Sequence, residues 1–254
     1  MSQIKLEDIC DIAVSAGQEI MNFYKDEKTF EKVDFKADDS PLTLADQAAH
    51  KIICAELEKL YPEIPILSEE GAKIEYAERS KWDRYFLVDP LDGTKEFINR
   101  NGEFTVNIAV IENRKAIAGV IYVPVKDTLY FGDRNGAFKR TGNESAEKIS
   151  VRPRPEQATA VRSKSHASNA EESVLERYNV TDSISVGSSL KFCMVAEGKA
   201  DVYYRHGPTM EWDTGAGQAV LEAAGGKVYT GSEENEVFLY NKENLLNGSF
   251  LAIG

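Results

Sequence analysis

Residues 87–94 read Leu87-Val88-Asp89-Pro90-Leu91-Asp92-Gly93-Thr94, an apolar run that ends in two carboxylates, a glycine and a hydroxyl. Asp89 and Asp92 lie three apart with a proline between them. The chain must turn there, and both side chains can converge on one point. Two carboxylates with a free backbone carbonyl suit a hard cation such as Mg²⁺, which takes oxygen ligands and keeps several waters. Gly93 lets the backbone approach an anion, and the Thr94 hydroxyl can orient a water. Together these groups suit metal-assisted phosphate hydrolysis. A strand ending in an Asp-Gly turn explains the segment equally well from turn chemistry alone.

Two further segments favour the chemical reading. Ile64-Pro65-Ile66-Leu67-Ser68 is a short apolar strand that runs into Glu69-Glu70-Gly71. Glu211-Trp212-Asp213 precedes Thr214-Gly215-Ala216-Gly217, a small-residue helix start with an acid at its mouth. Acids at strand ends and loop edges are what a multi-metal site needs. Acids that serve only solubility fall more often on the polar faces of helices.

The strings LSEEG (67–71), DPLDGTKEF (89–97) and EWDTGAG (211–217) resemble the three signatures of the inositol monophosphatase superfamily of Mg²⁺-dependent, lithium-sensitive phosphatases. The resemblance runs from Ser40-Pro41-Leu42-Thr43 to Ala223-Ala224-Gly225-Gly226. Within the superfamily, Lys95-Glu96-Phe97 and Arg100-Asn101-Gly102-Glu103-Phe104-Thr105-Val106-Asn107 look like the bacterial 3′(2′),5′-bisphosphate nucleotidases of sulfate assimilation. Gly187-Ser188-Ser189-Leu190-Lys191-Phe192-Cys193 and Ser163-Lys164-Ser165-His166 point to the same branch.

The resemblance implies a layered α/β/α/β/α sandwich with the active site between its halves. It implies two or three Mg²⁺ ions, with Glu69, Asp89, Asp92 and Asp213 as ligands beside the Leu91 carbonyl. Glu69, Leu91, Asp92 and Asp213 would thereby also border the substrate. Thr94 held by Asp46 would orient the water, Glu70 would stand behind the metals or hold a third, and the Gly93 and Thr94 amides would bind phosphate oxygens. Thr43 with Asp46 three residues on also resembles a capping box, a purely structural account of Asp46.

For the far end of the substrate, position supplies the candidates. Ser163, Ser165 and His166, with Lys164, follow the first strand of the second half, where ligands of open α/β sheets bind. Ser188, Ser189 and Lys191 fall at a helix start, whose free N–H groups favour an anion. A capped helix with a solvated lysine is the plain alternative. Arg205 and His206 follow another strand. His50 is given no role, and a lone histidine such as His206 is more often a satisfied structural residue.

The elements that must position these residues divide the chain in two. Ile4, Ile9, Ile12, Ala13, Ala16, Ile20 and Phe23 recur at helical spacing, and a second amphipathic helix spans about 44–60. Short strands at 64–68 and 85–88 precede a meander at 105–111, 116–123 and 128–131. The first half therefore predicts helices on an antiparallel sheet. Residues 141–157 turn to Gly, Asn, Ser, Glu, Arg and Pro, a boundary that separates an α+β metal-binding domain at 1–150 from an α/β nucleotide-binding domain at 151–254. Beyond it strands at 159–162, 183–186, 201–204 and 227–229 alternate with helices near 169–178, 189–197 and 213–224. That alternation predicts a mostly parallel sheet. The fold class is α/β, with an α+β N-terminal half.

The 254 residues carry 42% hydrophobic and 28% charged side chains, ordinary values for a globular protein. A formal net charge of −12 argues against a nucleic-acid polymer as partner. A small anionic nucleotide remains compatible, because bound divalent ions reverse the local sign. Cys10, Cys54 and Cys193 are scattered and form neither a disulfide framework nor a metal-ligand pattern. No apolar run approaches a transmembrane span and no leader is evident. The expected setting is cytoplasmic, with peripheral association with the inner membrane left open, as monomer or homodimer.

These readings converge on hydrolysis of the 3′-phosphate of adenosine 3′,5′-bisphosphate to AMP and phosphate, with 3′-phosphoadenylyl sulfate as a second candidate. The alternatives are an inositol monophosphatase or other sugar-phosphate phosphatase of the superfamily, and a non-catalytic metal- or nucleotide-binding protein on the same fold.

Overall fold

The computed structural model describes residues 4–26, 41–162 and 169–254. Helix α1 (Leu6–Lys25) buries Ile9, Ile12, Ala13, Ala16 and Ile20, the stripe expected from helical spacing. It packs against α2 (Pro41–Leu60) and against the first sheet. Gly17 makes the approach to the sheet possible, since a Cβ there would come within 2.4 Å of the Tyr122 ring.

That sheet has seven strands in chain order: β1 (Ile66–Ser68), β2 (Arg84–Asp92), β3 (Thr105–Glu112), β4 (Lys115–Val123), β5 (Thr128–Asp133), β6 (Gly136–Thr141) and β7 (Glu147–Ile149). β1 pairs parallel to β2, and every later pair is antiparallel. Side chains of β2 alternate between two cores. Phe86 and Val88 join the cluster under α1 and α2, whereas Tyr85 and Leu87 join a second cluster on the opposite face.

The second cluster is built on α6 (Leu190–Ala196) and α7 (Trp212–Ala223), which lie between the first sheet and a second one. The second sheet runs β12 (Lys227–Thr230), β14 (Phe250–Ile253), β10 (Val202–Arg205), β8 (Ala158–Arg162) and β9 (Val180–Ser185). Its Val161, Tyr203, Phe250 and Ala252 face α6 and α7, and Val202, Tyr204, Leu251 and Ile253 face the outer cluster that includes Val174 of α5 (Asn169–Arg177). Five alternating layers result. β8, β9 and β10 are parallel, and the antiparallel β14 lies between β10 and β12. A two-residue ladder joins β11 (Thr209–Met210) to β13 (Leu246–Asn247). Two short helices, α3 (Tyr76–Arg79) and α4 (Thr94–Ile98), complete the elements named here.

Three local expectations change. The strand expected to stop before the acids continues through them: β2 ends at Asp92, with Asp89 opposite Asn107 and Asp92 opposite Thr105. One extra residue therefore bulges from β2, and Pro90, which has no N–H for a ladder, is accommodated there. Helix α2 begins at Pro41, so Thr43 lies within its first turn and is not its cap. Strands β6 and β7 carry the first sheet into the segment whose turn-rich composition suggested a linker. Among the described residues no helix is long and apolar enough to cross a membrane.

Candidate active site

The ends of β1 and β2, the start of α7 and the loop before α6 meet at one cleft of about 320 Å³. Glu69 follows β1, and its N–H donates to the Val88 carbonyl (3.1 Å), which places it beside the acids of β2. The β2 bulge then presents Asp89, Leu91 and Asp92. Gly93 adopts φ +97, a backbone that side-chain-bearing residues rarely take, and turns the chain into α4 and Thr94. Asp213 lies in the first turn of α7, where the helix N-terminus favours an acid.

Glu69, Asp89 and Asp213 each bring a carboxylate oxygen within 4.8 Å of the others. Asp89 is only 1% exposed. Burial, then the charges of Asp92, Glu69, Asp213 and Asp46, raise its carboxyl well above the usual carboxylate range. Partial removal from water, reinforced by Asp92 and Glu70, pushes Glu69 up to about 7. Asp213 also rises to about 7, through burial and then Asp92, although the Met210 N–H donates to its Oδ2 at 2.8 Å. Among the described residues, no Lys or Arg forms an ion pair with any of these three acids. Mutually repelling carboxylates, Asp89 buried and Glu69 and Asp213 more open, with no ion-paired cation and only the Arg205 charge acting on Asp213, are a cation-binding donor set, and oxygen-only ligation fits a hard divalent ion.

Asp92 borders the same cleft but lies outside that 4.8 Å group. Its Oδ2 accepts from Ser188 Oγ (2.6 Å), Ser189 N and Ser189 Oγ (both 2.8 Å) and Asn107 Nδ2 (3.3 Å). Oδ1 is the oxygen left to take a ligand. Ser189 Oγ also reaches the Asp213 carbonyl at 3.0 Å, and Thr105 Oγ1 lies 2.6 Å from Ser188 Oγ. Ser188 and Ser189 therefore spend their donors on Asp92, not on the open cleft. The positive φ of Ser188 (+52) and the Gly187 N–H, held by Glu103 Oε2 at 2.8 Å, shape the loop that delivers them.

Asp46 is directed at Glu70, and burial followed by the Glu70 and Glu69 charges raises it to about 9. Its Oδ1 is buried without a hydrogen-bond partner. No direct Asp46–Thr94 hydrogen bond occurs among the described contacts, and Thr94 is exposed at the cleft.

Lys191 and Arg205 line the same cleft. Lys191 is 8% exposed, donates to the Ser188 carbonyl at 2.7 Å and sits 5.6 Å over the Tyr203 ring. Burial lowers its ammonium to about 8, against the opposing pull of Asp92. Arg205 has a buried Nε with no hydrogen-bond partner among the described residues. His206 lies against Tyr204 (6.5 Å between rings), and Ser163, Lys164, Ser165 and His166 lie outside the described residues. His50 accepts a structural place, with Nδ1 2.8 Å from Ser68 Oγ.

In the sequence Thr105 and Asn107 stand out only as part of a string shared with the nucleotidase branch. Their signal is two polar side chains at alternate positions of an otherwise apolar strand, both fully buried. Trp212, beside Glu69, was likewise given no role.

Five layers with an acid cluster at the mouth of the central helix layer define the sandwich of metal-dependent sugar phosphatases. The chain belongs to the inositol monophosphatase family, whose sequence pattern matches residues 5–252. It is 48% identical over 225 residues to the 3′(2′),5′-bisphosphate nucleotidase CysQ of Salmonella typhimurium, covering 88% of this chain and 89% of that protein. The protein of the same name from Buchnera aphidicola is 44% identical over 248 residues, 97% of this chain and 92% of its own. Among solved structures, CysQ from Bacteroides thetaiotaomicron superposes with a TM-score of 0.87 at 46% identity, covering 98% of this chain and 96% of that one. An inositol monophosphatase from Anabaena superposes with 0.76 at 25% identity, covering 98% and 89%.

Proposed function

We propose that this protein is a Mg²⁺-dependent 3′(2′),5′-bisphosphate nucleotidase of the cytoplasm. It removes the 3′-phosphate of adenosine 3′,5′-bisphosphate to leave AMP and inorganic phosphate, and it also accepts 3′-phosphoadenylyl sulfate. The observation that carries this reading is one cleft lined both by an acid cluster and by two cations, Lys191 and Arg205. A substrate with two phosphates can engage both sets of groups, whereas a monophosphate leaves one set unused. The names of relatives at 44–48% identity support the same choice.

Glu69, Asp89, Asp92, Asp213 and the Leu91 carbonyl would hold two or three Mg²⁺ ions. Bound divalent cations supply positive charge to the phosphoryl oxygens and ease deprotonation of an attacking water. The protein's own groups do the rest. The Gly93 and Thr94 amides at the start of α4 bind phosphate oxygens. The Thr94 hydroxyl orients the water, and Asp46 with Glu70 holds the proton that the water gives up. Asn107, Ser188 and Ser189 hold Asp92 in one rotamer, so its free oxygen stays aimed at the cleft. Lys191 and Arg205 bind the 5′-phosphate and set the distance between the two ends.

Phosphate release from adenosine 3′,5′-bisphosphate, 3′-phosphoadenylyl sulfate, inositol phosphates and fructose bisphosphate tests the reading, with and without EDTA. The adenosine compounds should be turned over fastest, and only with Mg²⁺. Faster release from inositol phosphates would sink the nucleotidase assignment. Millimolar Li⁺ should inhibit at fixed Mg²⁺ while equal Na⁺ does not, because the site offers only hard oxygen ligands.

A further inference from the structure

Glu211 is 0% exposed and lies outside the acid cluster, so the chemistry above makes no use of it. Its carboxylate is nonetheless fully engaged. Oε2 accepts from the Asn241 N–H at 2.7 Å, and Oε1 accepts from the Lys242 N–H at 2.9 Å and from Lys242 Nζ at 2.7 Å. The fold alone does not require such a pair, since apolar residues of similar volume often replace a buried ion pair without loss of stability.

The connections of the pair lead to the site. Lys242 Nζ also donates to Asn247 Oδ1 at 2.9 Å. Asn247 Nδ2 in turn donates to the Met210 carbonyl at 2.8 Å and to Thr214 Oγ1 at 3.2 Å. The Met210 N–H closes the circuit on Asp213 Oδ2 at 2.8 Å. Arg79 braces the far side, with Nη1 donating to Asn241 Oδ1 at 2.9 Å and to the Lys242 carbonyl at 2.6 Å. The residues on either side of Trp212 are thus tied down, Glu211 through its own carboxylate and Asp213 through the Met210 N–H.

We infer that Glu211 and Lys242 are positioning residues for Asp213: their ion pair, relayed through Asn247 and the backbone of Met210, holds the carboxylate where a divalent cation meets it. The inference rests on the proposed metal site, and not on which phosphate ester is the substrate. Groups that orient a metal ligand typically change metal affinity or activity by about ten- to a hundred-fold when removed.

Mn²⁺ binding to the full-length protein, followed by the electron paramagnetic resonance signal of free Mn²⁺, reads this out without turnover. Lys242→Met is the primary variant, because the Lys242 side chain is 31% exposed and its loss leaves Glu211 two backbone donors. Its Mn²⁺ dissociation constant should rise about ten-fold, the lower end of that range. Lys242→Arg should recover most of the loss, and Glu211→Gln should match Lys242→Met. Wild-type Mn²⁺ affinity in Lys242→Met overturns the inference, even if its melting temperature falls, because a merely structural role moves only the latter. If Glu211→Gln does not fold, the two Lys242 variants decide alone. A wild type that binds Mn²⁺ but does not hydrolyse adenosine 3′,5′-bisphosphate overturns the nucleotidase reading and leaves this inference standing. A wild type that binds no Mn²⁺ overturns both.

Discussion

The two ends of the cleft are organised on opposite electrostatic principles. At the acid end Glu69, Asp89 and Asp213 crowd together with no ion-paired cation, and burial with mutual repulsion raises each of them, although the Arg205 charge draws Asp213 down. At the basic end Lys191 is buried but satisfied, by the Ser188 carbonyl and the Tyr203 ring, and Asp92 lies close enough to oppose its loss of charge. The three acids have no ion-pair partner among the described residues, whereas Lys191 already has partners within the protein. The acid end should therefore govern whether turnover occurs, and the basic end which molecule is turned over.

Asp92→Asn breaks the comparison at its junction and should have the largest effect. Oδ2 accepts four donors from Asn107, Ser188 and Ser189. An amide can keep its oxygen there only by turning its NH₂ toward the cation, and loses the charge either way. kcat/KM should fall by at least roughly 10²–10³-fold, the scale on which preorganised charge acts. Circular dichroism should remain native, since the volume is unchanged. Activity within ten-fold of wild type would remove Asp92 from the site.

Lys191→Ala probes the other end and should be smaller and selective. Losing a charge-assisted phosphate contact costs about 1.5–3 kcal/mol, or roughly ten- to a hundred-fold in kcat/KM for adenosine 3′,5′-bisphosphate. With 3′-AMP, which lacks the 5′-phosphate, the loss should be several-fold less. It should not vanish, because Lys191 also fixes the carbonyl of Ser188, whose hydroxyl serves Asp92. Since burial lowers the ammonium to about 8, the wild-type preference for the bisphosphate should decline as pH rises past 8. Equal losses on both substrates would mean that Lys191 serves only the loop.

The same contrast explains what could be read from the chain beforehand. The acid end is written in three contiguous strings, each at a strand end or helix start, so residue type and local spacing suffice. The layers were legible where the helical period was strong, as in α1, or where a short apolar run stood between turn residues, as in β3 and β4. Legibility failed where the deciding interaction is tertiary. β6 (Gly-Ala-Phe-Lys-Arg-Thr) and β7 (Glu-Lys-Ile) carry only three apolar side chains larger than glycine, and become strands because β5 offers an edge. β14 inserts between β10 and β12 from the far end of the chain, a pairing no local pattern signals. Ser188 and Ser189 have the composition of an anion-binding helix start, and only the structure turns them onto Asp92. The expected capping role for Thr43 failed because the helix already runs from Pro41, which leaves Thr43 inside it.

The smallest predicted effect is in stability, and it isolates the acid end from catalysis altogether. In the unfolded chain aspartate and glutamate titrate near pH 4. In the folded, metal-free protein Glu69 and Asp213 hold their protons to about 7 and Asp46 to about 9. Between these limits the native state binds more protons than the unfolded one, so each of these groups makes metal-free stability fall as pH rises from about 4. A divalent cation competes with those protons and reverses the trend by stabilising the ionised cluster. At a hundred times its dissociation constant the cation contributes about 2.7 kcal/mol, or about 5–10 °C in a chain of this size. The gap between melting temperatures with Mg²⁺ and with EDTA should accordingly widen from pH 5 to pH 7.5, below the range where Lys191 titrates. Lys191→Ala should leave that gap nearly intact and Asp92→Asn should shrink it. A gap independent of pH would mean that the cation binds elsewhere than at these protonated acids.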